Sequence, residues 1–470
     1  MAFILTLESY FRERLGSARN LVPNDRREKE KDMIQQLAFF LVAALAVGAA
    51  SRQFLKIRRY ILFGQPEPIA GDSARRWQNV LLIAFGQQKM FKRWIPAVLH
   101  FFIYAAFVIT QVELLEIFID GLAGTHRFFQ PVLGGFYSFV ISLIEVLSIL
   151  ALVATVAFLV RRNVLRLPRF HSPELKGWPF RDANIILFLE IFLIFFIILM
   201  NSADIALHDN SYGFAISQWI SPLWAGTSES ILHAMERVGW WGHFLVVLGF
   251  LNYLPYSKHL HILLAFPNTY YAKLSPRGEM ENMPAIMNEV RSMLGMETLS
   301  QEGGAELPEF GSNDVTNLSW KNLLDAYSCT ECGRCTAVCP ANLTGKKLSP
   351  RKIVMDIRDR AEEVGMKIDS RDPQFAKDPA QPLSPSNFQD GKSLFDRVSP
   401  EEIHACTTCN ACVEACPVLI NPLDPILKLR RYEILTLSQG PSDWLPMFNS
   451  MENSGSAWAM AVDRDQWRKG

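Results

Sequence analysis

The feature that most constrains this chain is a cysteine motif that occurs twice. Each copy has the spacing C-x-x-C-x-x-C-x-x-x-C and is followed by a proline, and the two copies contain all eight cysteines: Cys329, Cys332, Cys335, Cys339, Cys406, Cys409, Cys412 and Cys416. Three closely spaced thiolates can surround one corner of an iron-sulfur cluster. Zinc sites use paired C-x-x-C units instead, and small disulfide-rich domains rarely share this spacing. The motif therefore predicts two 4Fe-4S clusters in a reducing compartment.

The ligand sets of the two clusters are expected to be interleaved. Where two clusters are bound through this motif, the fourth cysteine of one copy ligates the other cluster. This rule predicts one set of Cys329, Cys332, Cys335 and Cys416, and a second set of Cys406, Cys409, Cys412 and Cys339. Between the two copies, residues 348–365 predict a helix that Ser349 caps and Gly365 ends.

The first half of the chain is apolar, whereas the half beyond about residue 265 is polar and contains every cysteine. Five stretches reach the roughly 20 apolar residues that cross a bilayer: 33–51, 95–118, 136–160, 184–203 and 240–262. Basic residues concentrate in the loops 52–93 and 161–181, and short basic loops stay in the cytoplasm. The pattern predicts an inner-membrane protein with its N-terminus outside and its cysteine-rich half in the cytoplasm. The net charge of +0 gives no indication of a nucleic-acid partner.

Histidines in the apolar stretches are candidate haem ligands, because neutral imidazole is the usual protein ligand of haem iron. His100 lies roughly 10 Å inward from Arg93 at 1.5 Å per residue, and His259 and His261 lie at the corresponding end of the fifth stretch. His243 would lie roughly 27 Å from His261 along a continuous helix. We therefore expect His100 to share a haem b with His261 or His259. Each histidine taken singly could instead bond a backbone carbonyl.

A family resemblance is carried by residues 92–110 (KRWIPAVLHFFIYAAFVIT) and 240–262 (WWGHFLVVLGFLNYLPYSKHLHI). They resemble helices of the cytochrome b subunit of respiratory nitrate reductase and of related membrane complexes. The resemblance implies a haem b held by His100 and His261. Two-haem members of that family carry another histidine where this chain has Thr110, so one haem or two remains open. His243 would then be a quinone-pocket residue, or would need an unusual partner such as His126, His208 or His233.

A second resemblance is carried by residues 320–358 (WKNLLDAYSCTECGRCTAVCPANLTGKKLSPRKIVMDIR) and 401–419 (EEIHACTTCNACVEACPVL). They are similar to the small iron-sulfur subunit of heterodisulfide reductase and to membrane iron-sulfur oxidoreductases that combine both halves. In larger relatives a catalytic part with Cys-Cys-Gly motifs follows, and this sequence contains no such motif. The resemblance implies a separate soluble iron-sulfur subunit with those motifs as partner. An electron-transfer flavoprotein is a further candidate partner.

These observations predict an all-α membrane bundle of five transmembrane helices plus a cytoplasmic, mainly α, ferredoxin-like domain with two 4Fe-4S clusters. The expected divisions are an N-terminal tail (1–32), a cytochrome b-type membrane domain (33–262), a linker (263–319), the two-cluster domain (320–435) and a partner-docking tail (436–470). The expected function is electron transfer between a quinone pool and a cytoplasmic redox partner through haem b and the clusters. A membrane redox sensor and a structural anchor subunit, both without net electron flux, are the alternatives.

Overall fold

The structure is a computed structural model, and it describes residues 26–209, 212–280, 282–297, 310–458 and 465–469. Parts of several predicted divisions lie outside the described residues, namely 1–25 of the tail, 210–211 of the membrane domain, 281 and 298–309 of the linker, and 459–464 and 470 of the docking tail. The described ranges are mainly helical and contain no β-strand. Isolated bridges join Gln65 to Ser319 and Ala376 to Phe388.

The first half of the chain contains the long helices. The α-helices up to residue 270 are α1 (Arg26–Ile61), α2 (Ser73–Asn79), α3 (Trp94–Ile109), α4 (Gln111–Ala123), α5 (Gln130–Leu133), α6 (Gly135–Leu159), α7 (Trp178–His208), α8 (Ser217–Ile220), α9 (Glu229–Tyr253) and α10 (His261–Tyr270). Two π-helical turns, Val80–Phe85 and Val160–Val164, follow α2 and α6.

The second half contains shorter helices joined by loops. These are α11 (Pro284–Met293), α12 (Trp320–Tyr327), α13 (Pro340–Leu343), α14 (Pro350–Ser370), α15 (Pro400–His404), α16 (Ala411–Ala415), α17 (Leu423–Arg431), α18 (Trp444–Ser454) and α19 (Gln466–Lys469). A π-helical turn, Tyr432–Thr436, extends α17.

The chain divides into two compact units. Unit 1 comprises Met1–Ala50, Phe101–Thr155 and Leu189–Asn252, and unit 2 comprises Ser51–His100, Val156–Phe188 and Tyr253–Gly470. The core of unit 1 contains Phe39 stacked on Phe244, with ring centroids 4.1 Å apart. The core of unit 2 is built from α12, α14 and α17 together with the end of α1.

Four helical stretches among the described residues are long and apolar enough to cross a membrane: Met33–Ile61, Trp94–Ala123, Gly135–Val164 and Trp178–His208. They coincide with the first four predicted spans, and they indicate a membrane protein. Their surfaces carry exposed apolar side chains, such as Phe40 and Leu45 on α1. A water-soluble bundle would bury such side chains, whereas lipid accommodates them.

The predicted fifth helix, 240–262, has the wrong boundaries. Helix α9 begins at Glu229 and ends at Tyr253, before the predicted end at residue 262. Pro255 follows within a 3₁₀ turn, and Ser257 adopts an extended conformation with φ of −120°. A proline lacks the N–H that a continuing helix needs. His261 therefore starts a separate helix, and a fifth membrane span stays a prediction.

The helix between the cysteine motifs begins as predicted but ends later. Ser349 accepts a hydrogen bond from the backbone N–H of Lys352, and Pro350 occupies the first turn. The predicted stop at Gly365 is wrong, because α14 continues to Ser370. A Cβ atom at Gly365 would overlap the ring of Tyr60. This glycine allows two helices of unit 2 to approach closely, a role that the local sequence does not distinguish from a helix end.

Helix α14 also carries a buried ion-pair network. The Arg360 side chain is only 1% exposed, and its guanidinium donates to Asp314 at 2.6 Å and to Asp390 at 2.8 Å. Asp390 also accepts from Lys367 at 2.7 Å. The network joins α14 to the segments on either side of it in sequence.

We predict that Arg360→Ala lowers the free energy of unfolding by about 3–5 kcal/mol, because Asp314 loses its buried partner and Asp390 keeps only Lys367 as an ion-pair partner. Thermal and denaturant unfolding of the full chain in detergent measures the change. Arg397→Ala is the matched control, because the Arg397 side chain, which pairs with Glu363, is 34% exposed. The control should change stability by less than about 1 kcal/mol, and equal losses in both variants would contradict the assignment.

Candidate iron-sulfur and haem site

The two cysteine motifs fold into loops with the same backbone pattern. In the first copy Glu331 and Gly333 have positive φ angles of 52° and 68°, and in the second copy Thr408 and Asn410 have positive φ angles of 55° and 60°. These residues occupy equivalent positions in the two copies. Left-handed residues in a turn direct successive backbone N–H groups toward one side, which favours an anionic group there. The matching conformations fit the binding of a cluster by each loop.

Cys416, the last cysteine of the second copy, lies next to thiols of the first copy. Burial raises the pKa of the Cys416 thiol to about 12, and repulsion from Cys332 and Cys329 contributes. Burial likewise raises the pKa of Cys335, with contributions from Cys332, Cys329 and Cys416 and, last, from Cys412 of the second set. The backbone N–H of Ile420 donates to Cys416 Sγ at 3.3 Å. The structure thus brings together the four residues of the first predicted set.

Cys339, the last cysteine of the first copy, lies near thiols of the second copy. Burial raises the pKa of the Cys412 thiol to about 12, and Cys406, Cys339 and Cys409 contribute by repulsion. Burial also raises the pKa of Cys406, again with contributions from Cys339 and Cys409. All eight thiols are free of disulfides, and Cys409 is the exposed member. Four thiols without another covalent partner are a suitable donor set for a 4Fe-4S cluster.

Basic side chains surround the first thiol group. Lys89 and Arg334 lie within electrostatic range of Cys416, and Arg169 and Arg334 lie within range of Cys332. Arg334 also donates to the backbone carbonyl of Lys89 at 3.2 Å. A cluster ligated by four thiolates is anionic, so these positive charges suit it. The sequence showed Lys89 and Arg169 only as members of basic loops and gave no sign that they reach the cysteines.

Glu331, inside the first motif, anchors its loop to the rest of unit 2. It forms ion pairs with Lys258 and, at 2.9 Å, with Arg358. Burial alone would raise the pKa of Glu331, but the charges of Lys258 and Arg358 lower it below its usual value. The segment that precedes His259 is thereby fixed to the first cysteine loop.

Three histidines predicted to be haem ligands lie together in unit 2. His100 Nδ1 lies 3.0 Å from Gln87 Oε1, and His261 Nδ1 lies 2.9 Å from the carbonyl oxygen of Lys258. A hydrogen bond of this kind at Nδ1 sets the tautomer in which Nε2 can ligate a metal. His259 has its ring centroid 5.4 Å from that of His261, and His100 lies within electrostatic range of it. The structure brings these imidazoles into one unit, and a haem ligated by them stays a prediction.

His243 belongs to unit 1, where it is buried on α9. Its Nδ1 lies 3.2 Å from the carbonyl oxygen of Leu193. The expected continuous helix from His243 to His261 does not exist, because α9 ends at Tyr253. The predicted separation of roughly 27 Å between His243 and His261 assumed one continuous helix. Because that helix ends at Tyr253, the predicted distance no longer applies.

A polar network in unit 1 has no counterpart in the sequence predictions. Arg127 is buried and donates to Asp204 at 3.1 Å and to Asn201 at 2.7 Å. Its guanidinium also lies 3.5 Å from Glu113 and 3.8 Å from Glu116. Glutamates within apolar stretches are visible in the sequence, but the arginine that neutralises them from a neighbouring loop is not.

The comparisons with known proteins agree with the geometry of the two cysteine motifs. Residues 328–420 match the family described as 4Fe-4S dicluster domain. The chain is similar to a probable iron-sulfur-binding oxidoreductase, FadF, of Bacillus subtilis, with 28% identity over 92% of this chain and 60% of that protein. It is also similar to the EtfAB:quinone oxidoreductase of Syntrophomonas wolfei subsp. wolfei, with 26% identity over 82% of this chain and 53% of that protein.

A shorter similarity, 30% identity over 24% of this chain, links it to 25% of one subunit of the dihydromethanophenazine:CoB--CoM heterodisulfide reductase of Methanosarcina barkeri. The chain spans 60% and 53% of the lengths of the two longer matches. No solved structure matches. The comparisons confirm a C-terminal 4Fe-4S dicluster domain and the expected likeness to iron-sulfur oxidoreductases. The cytochrome b character of the membrane helices stays a prediction.

Gly333 provides a test of the loop geometry. Its φ of +68° disfavours any side chain, and a Cβ atom would lie 2.5 Å from Arg351 Nη1. We predict that Gly333→Ala lowers the iron and acid-labile sulfide content of the purified chain. Gly345→Ala is the matched control, because Gly345 also has a positive φ but has open space around it. Equal iron content in the two variants would contradict the proposed role of the Gly333 loop.

Proposed function

We propose that this chain is a membrane-bound electron-transfer protein that connects a quinone pool with a cytoplasmic redox partner through haem b and two 4Fe-4S clusters. The observation that carries the proposal is that one compact unit contains both thiol groups and the three imidazoles. Low-spin haem and 4Fe-4S clusters transfer single electrons. The protein residues hold these groups in place, and the charged side chains near them set the potentials at which electrons are transferred.

In this proposal the clusters have interleaved ligands. One is held by Cys329, Cys332, Cys335 and Cys416, and the other by Cys406, Cys409, Cys412 and Cys339. The mutual repulsion of the thiols within each set supports this assignment. His100 and His261 are the proposed haem ligands, and the hydrogen bonds at the Nδ1 atoms of these two histidines support the choice. His259 lies beside them.

The proposed topology has α9 as a fifth membrane pass, the N-terminus outside and the cluster domain in the cytoplasm. Its 25 residues are long enough to cross a bilayer, which needs roughly 20. The basic loops 52–93 and 161–181 support a cytoplasmic location for that side. Under this topology the segment between α4 and α6 lies outside.

A cavity in unit 1 is our proposed site for the quinone. It has a volume of about 160 Å³, and the side chains around it include Phe39, Glu116, His126, Arg127, Glu236, Trp240 and Trp241. Aromatic side chains can pack against a planar quinone ring. Basic groups can donate to its carbonyl oxygens, and carboxylates can accept the protons that a quinol loses on oxidation. The name of the Syntrophomonas relative, which specifies a quinone, supports this substrate class.

The proposed cytoplasmic partner is a separate iron-sulfur protein with Cys-Cys-Gly motifs, or an electron-transfer flavoprotein. The first follows from the likeness to heterodisulfide reductase, and the second from the name of the Syntrophomonas relative. Helix α18 in the predicted docking tail exposes Leu445, Phe448 and Met451, which supports a contact role for this segment.

The interleaved assignment is tested with four alanine variants of the intact chain, purified without oxygen. We predict that Cys329→Ala and Cys416→Ala perturb one and the same electron-paramagnetic-resonance signal, because their thiols hold one cluster. Cys406→Ala and Cys339→Ala should perturb the other signal. If Cys329→Ala and Cys339→Ala instead perturb the same signal, each motif binds its own cluster and the interleaved assignment is wrong.

The electron path is tested with a reduced quinol analogue added to membranes that contain the chain. We predict reduction of the haem band in the wild type, and no haem band in His100→Ala, whose clusters dithionite still reduces. His233→Ala is the control, because His233 belongs to unit 1, near the start of α9, and its side chain is 57% exposed; it should behave as the wild type. Failure of the quinol to reduce the wild-type haem would overturn the proposed function, as would a His100→Ala variant that retains the haem band.

A further inference from the structure

Three side chains of the types that can ligate a metal converge in unit 1, which contains none of the cysteines. Asp204 and His208 are one turn apart at the end of α7, and His126 comes from the segment between α4 and α5. His208 Nδ1 lies 2.7 Å and His126 Nε2 lies 3.2 Å from Asp204 Oδ1. One ligand atom from each residue lies within 4.8 Å of the other two. The two imidazole rings are 5.1 Å apart between centroids.

The carboxylate of Asp204 is held in a fixed orientation. Its side chain is 0% exposed, and Arg127 donates from Nε and Nη2 to Oδ2, both at 3.1 Å. Arg127 is fixed in turn by Asn201, which accepts from Nη2 at 2.7 Å. These bonds direct Oδ1 of Asp204 toward the two imidazoles. Outer contacts of this kind orient the ligands in metal sites.

The charge around this group favours a cation. The guanidinium of Arg127 faces the carboxyl groups of Glu113 and Glu116 as well as that of Asp204. Three carboxyl groups thus share one guanidinium in a buried region. A divalent ion bound at Asp204 Oδ1 would add a second cation to this group of acidic side chains.

The donor set and spacing point to the kind of ion. Two imidazole nitrogens and one carboxylate oxygen suit Zn²⁺ and related transition-metal ions, which bind them at about 2.0–2.2 Å. In a tetrahedral site such ligand atoms lie about 3.3 Å apart, close to the 3.2 Å between Asp204 Oδ1 and His126 Nε2. His208 Nδ1 lies nearer, at a hydrogen-bond distance of 2.7 Å from the same oxygen. The imidazoles are 40% and 43% exposed, so an ion can enter from solvent and a water molecule can complete its coordination.

We propose that His126, Asp204 and His208 form a binding site for a divalent transition-metal ion with the coordination chemistry of Zn²⁺. The site goes beyond the proposed electron-transfer function: it shares His126 with the wall of the proposed quinone cavity, but metal binding does not require the quinone reaction. His233 and Glu229 provide a contrast, since they also form a one-turn histidine-carboxylate pair, at 3.7 Å, but both side chains are more than half exposed. That pair has no fixed buried carboxylate, and no third ligand joins it among the residues that the structure describes.

The test is equilibrium dialysis of the intact chain against Zn²⁺ after chelator treatment and desalting, with zinc and iron measured by mass spectrometry. We expect the wild type to bind one equivalent of zinc more than His126→Ala and His208→Ala at equal iron content. His233→Ala should bind as much as the wild type. Equal zinc content in all four proteins would overturn the proposal, and so would a loss in His233→Ala.

X-ray absorption at the zinc edge of the loaded wild type gives a second measurement that does not depend on the variants folding. We expect a coordination shell of nitrogen and oxygen that includes imidazole. A shell dominated by sulfur would place the zinc at the cysteines and overturn the proposal. Neither measurement involves a quinol or electron transfer, so failure here leaves the proposed function unaffected, and failure of the quinol experiment leaves this site unaffected.

Discussion

The interaction on which the dicluster domain most depends is the close approach of thiols from two distant motifs. Burial raises the pKa values of Cys335 and Cys412, and repulsion from Cys416 and Cys339, respectively, is among the further contributions. Buried groups of like charge repel one another strongly unless a cation lies between them. The loops, the helix between them and the ion pairs around Glu331 hold these thiols together. A 4Fe-4S cluster would supply the cation that the thiolates need once they lose their protons.

The surroundings of the thiols come from parts of the chain that are far apart in sequence. Lys89 and Arg169 belong to loops of the first half, yet both lie within electrostatic range of cysteines in the second half. Hydrogen bonds and net charge near a cluster set its reduction potential. The membrane half of the chain thus contributes charged loops to the same unit that contains the cysteines. Lys258, which pairs with Glu331, connects the histidine segment to this unit in the same way.

Sequence analysis predicted four of the long helices well, because about 20 apolar residues in succession have few alternatives to a helix in a membrane. It failed at the end of the fifth, where Pro255 was included in a helix that stops at Tyr253. It also misjudged Gly365, which lies inside α14 at the point where the Tyr60 ring packs against the helix. A glycine that ends a helix and one that admits a neighbouring ring look alike in a single sequence. Only the packing partner distinguishes them.

The amino-acid sequence by itself determined the iron-sulfur motifs, the candidate histidines and the apolar helices. Each of these rests on residues within a few positions of one another, and their chemistry or periodicity is visible locally. The tertiary structure decided which thiols meet, that Arg127 reaches Asp204, and that His126 joins Asp204 and His208. These contacts join residues that are distant in the chain. Their pairing follows from how helices and loops pack, which no local pattern specifies.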